Sequence, residues 1–141
     1  MNNRMELRFD ALAENEAFSR MVISAFLVQV NPTMSIVSEV RTAVSEAVTN
    51  AIVHGYAGTT GTVVLRAQIE GNQAVIEVED YGCGIADVQK AMEPLFTTGG
   101  SKRAGLGFAI MQELMDEVRV TSRVGGGTTV RLRRRLSQKT R

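Results

Sequence analysis

The sequence predicts an α/β protein of the α+β kind: a two-layer sandwich with three helices on one face of a mixed, mostly antiparallel sheet. Three observations predict it. Stretches of alternating apolar and polar residues come in pairs joined by short glycine-rich breaks, which is how hairpins read. Stretches of helical period lie between them. The chain has 141 residues, 44% hydrophobic and 22% charged, the size and balance of one domain with one core.

The elements follow in order. "RMELRF" puts Met5, Leu7 and Phe9 on one side and predicts a first strand. "ALAENEAFSRMVISAFLVQV" is a helix, with Phe18, Met21, Val22, Ala25 and Phe26 as its expected buried face. "NPT" breaks it, because Pro32 lacks a backbone donor and biases Asn31 away from helix. Ser35 is the expected cap of a second helix that runs to about His54, ended by Gly55 and "AGTTG". "TVVLRAQIE" and "AVIEVED", either side of "GNQ", form a hairpin. A long glycine-punctuated stretch follows, and its part at about residues 85–104 reads as a functional lid. "FAIMQELMDEV" returns to helical spacing through Ile110, Met111 and Leu114, and "VRVTSRV" with "TTVRLRRRL" makes a last hairpin. One domain is expected over residues 1–136, with 137–141 a frayed tail.

Composition narrows the function. The net charge of +1 gives no global basic field, so direct nucleic-acid binding is not expected. The run "VRLRRRL" alternates, and Arg131 and Arg133 read as the wet face of an outer strand. A single cysteine, Cys83, excludes an internal disulfide and a cysteine-rich zinc site, and fits a reducing compartment. No apolar run reaches the roughly 20 residues of a membrane helix. A cytoplasmic protein without a membrane partner is expected.

Three stretches carry candidate chemistry. In "VSEAVTNAIVHGY", Glu46, Asn50 and His54 recur every fourth residue. Each helical residue turns about 100°, so the three form one polar row on a helix otherwise rich in Val and Ala. The row is either a solvated stripe or the border of a cleft. In "EDYGCGI", Asp80 ends a strand and Gly82 and Gly84 follow. A carboxylate fixed there can accept from the amino group of a heterocycle, and glycines let a ligand approach the backbone. A plain turn opened by Asp is the other reading. In "TTGGSKRAGLGF", Gly105 and Gly107 precede a helix, with Lys102 and Arg103 just before them, a setting that suits phosphate. Neither the GxxxxGK[ST] pattern nor GxGxxG is present, and no calcium loop is spelled out.

Order and spacing join the three. "ExxxNxxxHG", "DxGxG" and "GLGF", with "GGTTV" near the end, resemble the boxes of the ATP-binding domain shared by DNA gyrase, heat-shock chaperones, histidine kinases and mismatch-repair ATPases. The resemblance covers nearly the whole chain and implies a histidine-kinase-like ATPase domain. Within that group, "NEAFSRMVISAF", "NPTM", "PLFTT" and "MDEV" resemble the short bacterial anti-sigma factors of sporulation that are serine protein kinases. "TTGGSKRAGLG" departs from them, being glycine-rich where a more charged, proline-containing lid is expected.

The resemblance implies roles. Asn50 would offer an oxygen to a Mg²⁺ that gathers the phosphates of ATP, and Glu46 would orient or deprotonate the attacking hydroxyl. Asp80 would recognise the adenine amino group with Thr128 close by, and Gly82 and Gly84 would admit base and sugar. Gly105 and Gly107 would place amides on the phosphates, with Arg103 or Lys102 adding charge. His54 is read as a helix-end hydrogen-bonding group or a phosphate neighbour, and Cys83 as a small neighbour of the adenine pocket. The implied partners are a sporulation sigma factor (sigma F), which the protein inhibits, and an anti-anti-sigma protein, its serine substrate. A homodimer is expected, and the start of the first helix, with Glu14, Glu16 and Arg20, is the expected sigma-facing surface. The alternatives are a nucleotide-holding anti-sigma module without phosphotransfer and a detached histidine-kinase ATPase domain. The latter needs a phosphoacceptor histidine on an upstream dimerisation helix, for which the early first strand leaves no room.

Overall fold

A computed structural model describes residues 1–93 and 102–137, with only the backbone given for 102–104. Strand β1 spans Asn2–Asp10 and helix α1 Ala13–Leu27. One 3-10 turn, Val28–Val30, continues α1 until Asn31 takes a left-handed conformation (φ 57°) that asparagine tolerates. Helix α2, Met34–Asn50, starts directly after Pro32 and Thr33. Thr33 caps it: its hydroxyl accepts from the Ile36 amide at 3.2 Å. The expected cap, Ser35, is instead the second helical residue, because Thr33 is extended (φ −67°, ψ 156°) and helical geometry begins at Met34. The helix ends in a π turn, Ala51–Gly55.

Strands β2 (Thr62–Glu70) and β3 (Gln73–Asp80) form the first hairpin. Gly71, at φ +61°, takes the first central position of its two-residue turn, where a mirror-image turn needs positive φ. A short helix α3 (Val88–Met92) lies within the stretch expected to be a lid, and residues 94–101 of that stretch lie outside the described residues. Helix α4 (Lys102–Leu114) and the hairpin of β4 (Glu117–Arg123) and β5 (Gly127–Arg135) complete the order. The tail from residue 138 also lies outside the described residues.

The sheet order is β1-β2-β3-β5-β4, and every neighbouring pair is antiparallel, so the sheet is not mixed. The chain leaves β3, crosses through α3 and α4 to the far edge, and returns on β5 beside β3. That return sets the end of β3 against the start of β5, with Asp80 opposite Thr128.

Helices α1, α2 and α4 pack side by side, with α2 in the middle. Ile36, Val37, Val40, Ala43, Val44, Ala47 and Val48 of α2 are buried against sheet residues such as Leu65, Ile76 and Leu132. Each such Val, Ile or Leu side chain contributes about 1.5–3 kcal/mol by leaving water. Helix α4 buries Phe108 and Met111, with Met115 buried just past its end, whereas Ile110 faces out. Arg134 ties the layers together, donating to the Leu114 carbonyl at 2.7 Å and pairing with Glu39 of α2 at 2.8 Å. On the open face of the sheet Arg66 bridges Glu6 (3.1 Å) and Glu79 (2.7 Å), and Arg131 and Arg133 stand beside Glu77 and Glu117.

Helix α1 departs most from expectation. Its buried face is Ser19, Ile23, Phe26 and Leu27. Phe18 and Met21, expected inside, are 48% and 74% exposed. The helix is apolar on two faces, and periodicity alone cannot say which meets the core.

Candidate functional site

The polar row on α2 is not a solvated stripe. Ala47, Asn50, Ala51, His54 and Gly55 form one wall of a cavity of about 190 Å³. The opposite wall is Val78 and Asp80 of β3 with Thr128 and Val130 of β5. Gly84, Ile85, Ala91 and Phe108 close its remaining sides. The cavity is mostly apolar, with polar groups at its ends, the form expected of a small-molecule site.

Asp80 and Thr128 make one end. Asp80 is 5% exposed. One of its oxygens accepts from the Gly82 amide at 2.9 Å, and the Thr128 amide also donates to the carboxylate. Burial pushes the Asp80 pKa up, and these two donors partly oppose the shift. The carboxylate keeps lone pairs free for a ligand's N–H.

Three glycines let the backbone close around it. A Cβ on Gly55 would lie 2.8–2.9 Å from the Asp80 carboxyl atoms, so only glycine lets the π turn press against this acid. A Cβ on Gly82 would overlap the Gly55 carbonyl, which itself accepts from the Cys83 amide at 2.8 Å. One on Gly84, at φ +77°, would overlap the Arg123 carbonyl of β4. Gly82 and Gly84, expected to make room for a ligand, thus first make room for the π turn and for β4. Gly84 also lines the cavity, while Cys83 is exposed, with its thiol 3.3 Å from the His54 carbonyl.

Tyr56 fixes the same corner from behind. Its hydroxyl donates to the Thr62 carbonyl at 2.6 Å and accepts from the Tyr81 amide at 2.9 Å, joining the π turn to the end of β3. Ser122 of β4 lies behind Thr128, its hydroxyl 2.8 Å from the Thr128 hydroxyl. Sequence reading missed Gly55, Tyr56 and Ser122 as site residues. Gly55 and Tyr56 were signalled only by the "HGY" flanking the polar row, and Ser122 by nothing, since their partners are distant in the chain.

Asn50 lies toward the other end, and Glu46, which does not line the cavity, stands one turn before it on α2. A Cβ on Gly107 would lie 3.1 Å from Glu46 Oε1, 3.3 Å from Asn50 Nδ2 and 3.4 Å from Asn50 Oδ1. Helix α4 therefore meets the α2 row at Gly107. Among the described residues, Asn50 Nδ2 is buried with no hydrogen-bond partner. Gly105 and Gly107 were expected ahead of the helix, but α4 begins at Lys102 and both lie inside it. In this conformation their amides fall beyond the first three helical positions, where N–H groups turn toward carbonyls one turn back. Arg103 and Lys102 stand in the first turn of α4, and their side chains lie outside the described residues. Among the described residues no cluster of three or more His, Cys, Asp or Glu could cage a metal.

An antiparallel sheet under three helices, with an Asn on the central helix and an Asp at the end of the central strand facing one cavity, defines a histidine-kinase-like ATPase domain. The family model of that description matches residues 9–134. Solved structures agree. The RsbU and RsbW domains of Rv1364c from Mycobacterium tuberculosis match 99% of this chain and 34% of that one, with a TM-score of 0.72 at 25% identity. A mycobacterial sensor histidine kinase, MprB, covers 96% and 100% of the two chains at a TM-score of 0.58 and 20% identity, a likeness of fold.

Among sequences, the anti-sigma F factor of Thermoanaerobacter sp. (strain X514) is 50% identical over 92% of both chains. That of Anoxybacillus flavithermus is 46% identical over 98% of this chain and 96% of its own. The chain belongs to the anti-sigma F factors within the histidine-kinase-like ATPases. Its fold implies ATP binding.

Proposed function

We propose that this protein is a cytoplasmic, Mg-ATP-dependent serine protein kinase that inhibits the sporulation sigma factor sigma F and inactivates its anti-anti-sigma antagonist by phosphorylation. The observation that carries the reading is that Asn50 lines the same cavity as Asp80 and Thr128, with Glu46 and Gly107 packed beside Asn50 just outside it. Base recognition and phosphate chemistry fall at separate ends of one cleft.

Asp80 accepts from the adenine amino group, beside Thr128. Apolar walls from Val78, Ile85, Phe108 and Val130 receive the ring. The phosphates lie toward Asn50 and the start of α4, where Arg103 adds charge and opening of the first turn would expose the amides of Gly105 and Gly107. The donor set fits Mg²⁺, since Asn50 supplies a hard amide oxygen. When bound, Mg²⁺ would neutralise phosphate charge. Glu46, one turn before Asn50, holds the substrate serine hydroxyl and takes its proton. The unpartnered Asn50 amide is placed to donate to a phosphate oxygen.

The exposed apolar face of α1, with Phe18 and Met21, and Val28 in the turn that follows, supports a homodimer. Glu14 is exposed beside it, whereas Glu16 is engaged with Arg20 (2.8 Å) and the Ser45 hydroxyl (2.7 Å). Residues 1–136 serve as one kinase domain. No helix among the described residues is long and apolar enough to cross a membrane.

The test mixes the protein with Mg-ATP and the candidate antagonist. Acid-stable phosphate on a partner serine is expected, Glu46→Gln should abolish transfer while nucleotide still binds, and a pull-down should capture sigma F over other sigma factors. Capture of sigma without any phosphotransfer would leave only a nucleotide-holding anti-sigma module.

A further inference from the structure

Behind the adenine end of the cavity lies a hydroxyl pair that the proposed mechanism does not use. Ser122 Oγ stands 2.7 Å from the Ile85 amide, 3.1 Å from the Gly127 carbonyl and 2.8 Å from Thr128 Oγ1. A serine hydroxyl has one proton and two acceptor positions. The Ile85 amide can only donate and the Gly127 carbonyl can only accept. The arrangement that uses all three contacts is therefore determined. Ser122 accepts from Ile85, gives its proton to Gly127, and takes the Thr128 proton on its remaining lone pair. The reverse, with Ser122 donating to Thr128, leaves the Gly127 contact without a proton.

The consequence reaches the cavity, which Thr128 lines and Ser122 does not. With its proton committed to Ser122, Thr128 Oγ1 is an acceptor only. Asp80, its register partner across β3 and β5, accepts already from two backbone amides. The two polar side chains at this end of the cavity are then both acceptors. It suits a purine with an amino group at ring position 6 and repels one with a carbonyl there.

We infer that Ser122 is a specificity-determining positioning residue, which orients the Thr128 hydroxyl so that the site accepts 6-amino purines and rejects 6-oxo purines. The inference rests on the reading of Asp80 and Thr128 as the base-recognition end. Without Ser122, the Thr128 hydroxyl is free to turn its proton into the cavity and greet a ring carbonyl.

The experiment is titration calorimetry of the full chain with Mg-ATP and Mg-ITP, the latter carrying the 6-oxo ring. Ser122→Ala should lower the ratio of ITP to ATP dissociation constants by about tenfold, the worth of one regained hydrogen bond. Ser122→Thr, which keeps the hydroxyl, should restore the wild-type ratio. Ser122→Cys leaves no cavity but offers a weak acceptor, and should also lower the ratio, so the test does not depend on the alanine variant folding. A merely structural Ser122 would weaken both nucleotides alike. An unchanged ratio in the Ala and Cys variants, with a wild type that discriminates, overturns the inference and leaves the base-recognition reading intact. A wild type that binds ATP and ITP equally overturns both.

Discussion

Gly55→Ala separates the two roles of the helix that carries the candidate site. Gly55 ends the π turn without positive φ, so its backbone accepts alanine. On helical propensity alone the change is worth up to about 1 kcal/mol of added stability. The new Cβ, however, would stand 2.8–2.9 Å from Cγ, Oδ1 and Oδ2 of Asp80. Ordinary contact requires the carboxylate to retreat by about 0.5 Å. Its bond to the Gly82 amide, 2.9 Å long, would then stretch to the edge of hydrogen bonding. A bond to a charged acceptor is worth about 1.5–3 kcal/mol. Set against the propensity gain, the protein should lose about 0.5–2 kcal/mol, a drop of a few degrees in unfolding temperature.

The effect on function should be larger. If the carboxylate no longer meets the adenine amino group, ATP affinity falls by the value of that bond, about 10- to 150-fold. Glu46 lies more than two turns upstream on α2 and Asn50 more than one, so the transfer rate at saturating ATP should hardly change. Calorimetric binding, a thermal melt and a kcat against KM comparison read all three quantities. An ATP dissociation constant within about threefold of wild type would refute the placement of adenine at Asp80.

Other perturbations follow from the same geometry. Gly107→Ala adds a good helix former but sets a Cβ 3.1 Å from Glu46 Oε1. The unfolding temperature should hold or rise while the transfer rate at saturating ATP drops about tenfold, read by single-turnover kinetics. Thr33→Ala removes the α2 cap and should cost about 1 kcal/mol in urea unfolding, with nucleotide affinity unchanged. Acidification should weaken ATP binding at a pH above that of an ordinary aspartate, because burial raises the Asp80 pKa; titration calorimetry across pH should find the residual binding of Asp80→Asn nearly flat there. For the fold the sign is opposite. A raised folded-state pKa contributes stability that is present below the unfolded value and lost as pH rises through the folded one. Glu6 and Glu117, held low by Arg66 and Arg133, contribute stability above the ordinary glutamate value and lose it as pH falls through theirs. Urea unfolding with and without ATP across acid pH separates these terms.

The strands, the three long helices and the two ends of the cavity were legible because each is written locally. Alternation marks β2 and β3, and four-residue spacing marks Glu46 and Asn50. What was illegible depended on partners distant in the chain. The exposed face of α1 could not be told from its buried one, since Phe18 and Met21 fit a helical stripe as well as Ile23 and Phe26 do. Ser35 and Thr33 both cap helices well, and only the extended backbone at Thr33 decided between them. The glycines of "DYGCG" looked like room for a ligand, but whose room they make depends on the Gly55 and Arg123 carbonyls, set there by the π turn and by β4.

That last point bears on how the site holds its shape. Asp80 is buried against its own ionisation, and of what fixes it only the Gly82 amide is near in the sequence. It is positioned by four separate close approaches: Gly55 beside the carboxylate, Gly82 donating to it, Gly127 packed on its carbonyl, and the Tyr56 hydroxyl holding the next amide. Three of the four require that no side chain be present. A single methyl at Gly55, Gly82 or Gly127 therefore perturbs the same carboxylate, although the three positions lie on different elements. The substitutions should converge on one phenotype, weakened ATP affinity. Gly58, whose Cβ would meet nothing, should not share it, though its φ of +87° will register in stability. A Gly58→Ala variant that weakened ATP as strongly as Gly55→Ala would mean that general loosening of the fold governs this site, and not the packing around Asp80.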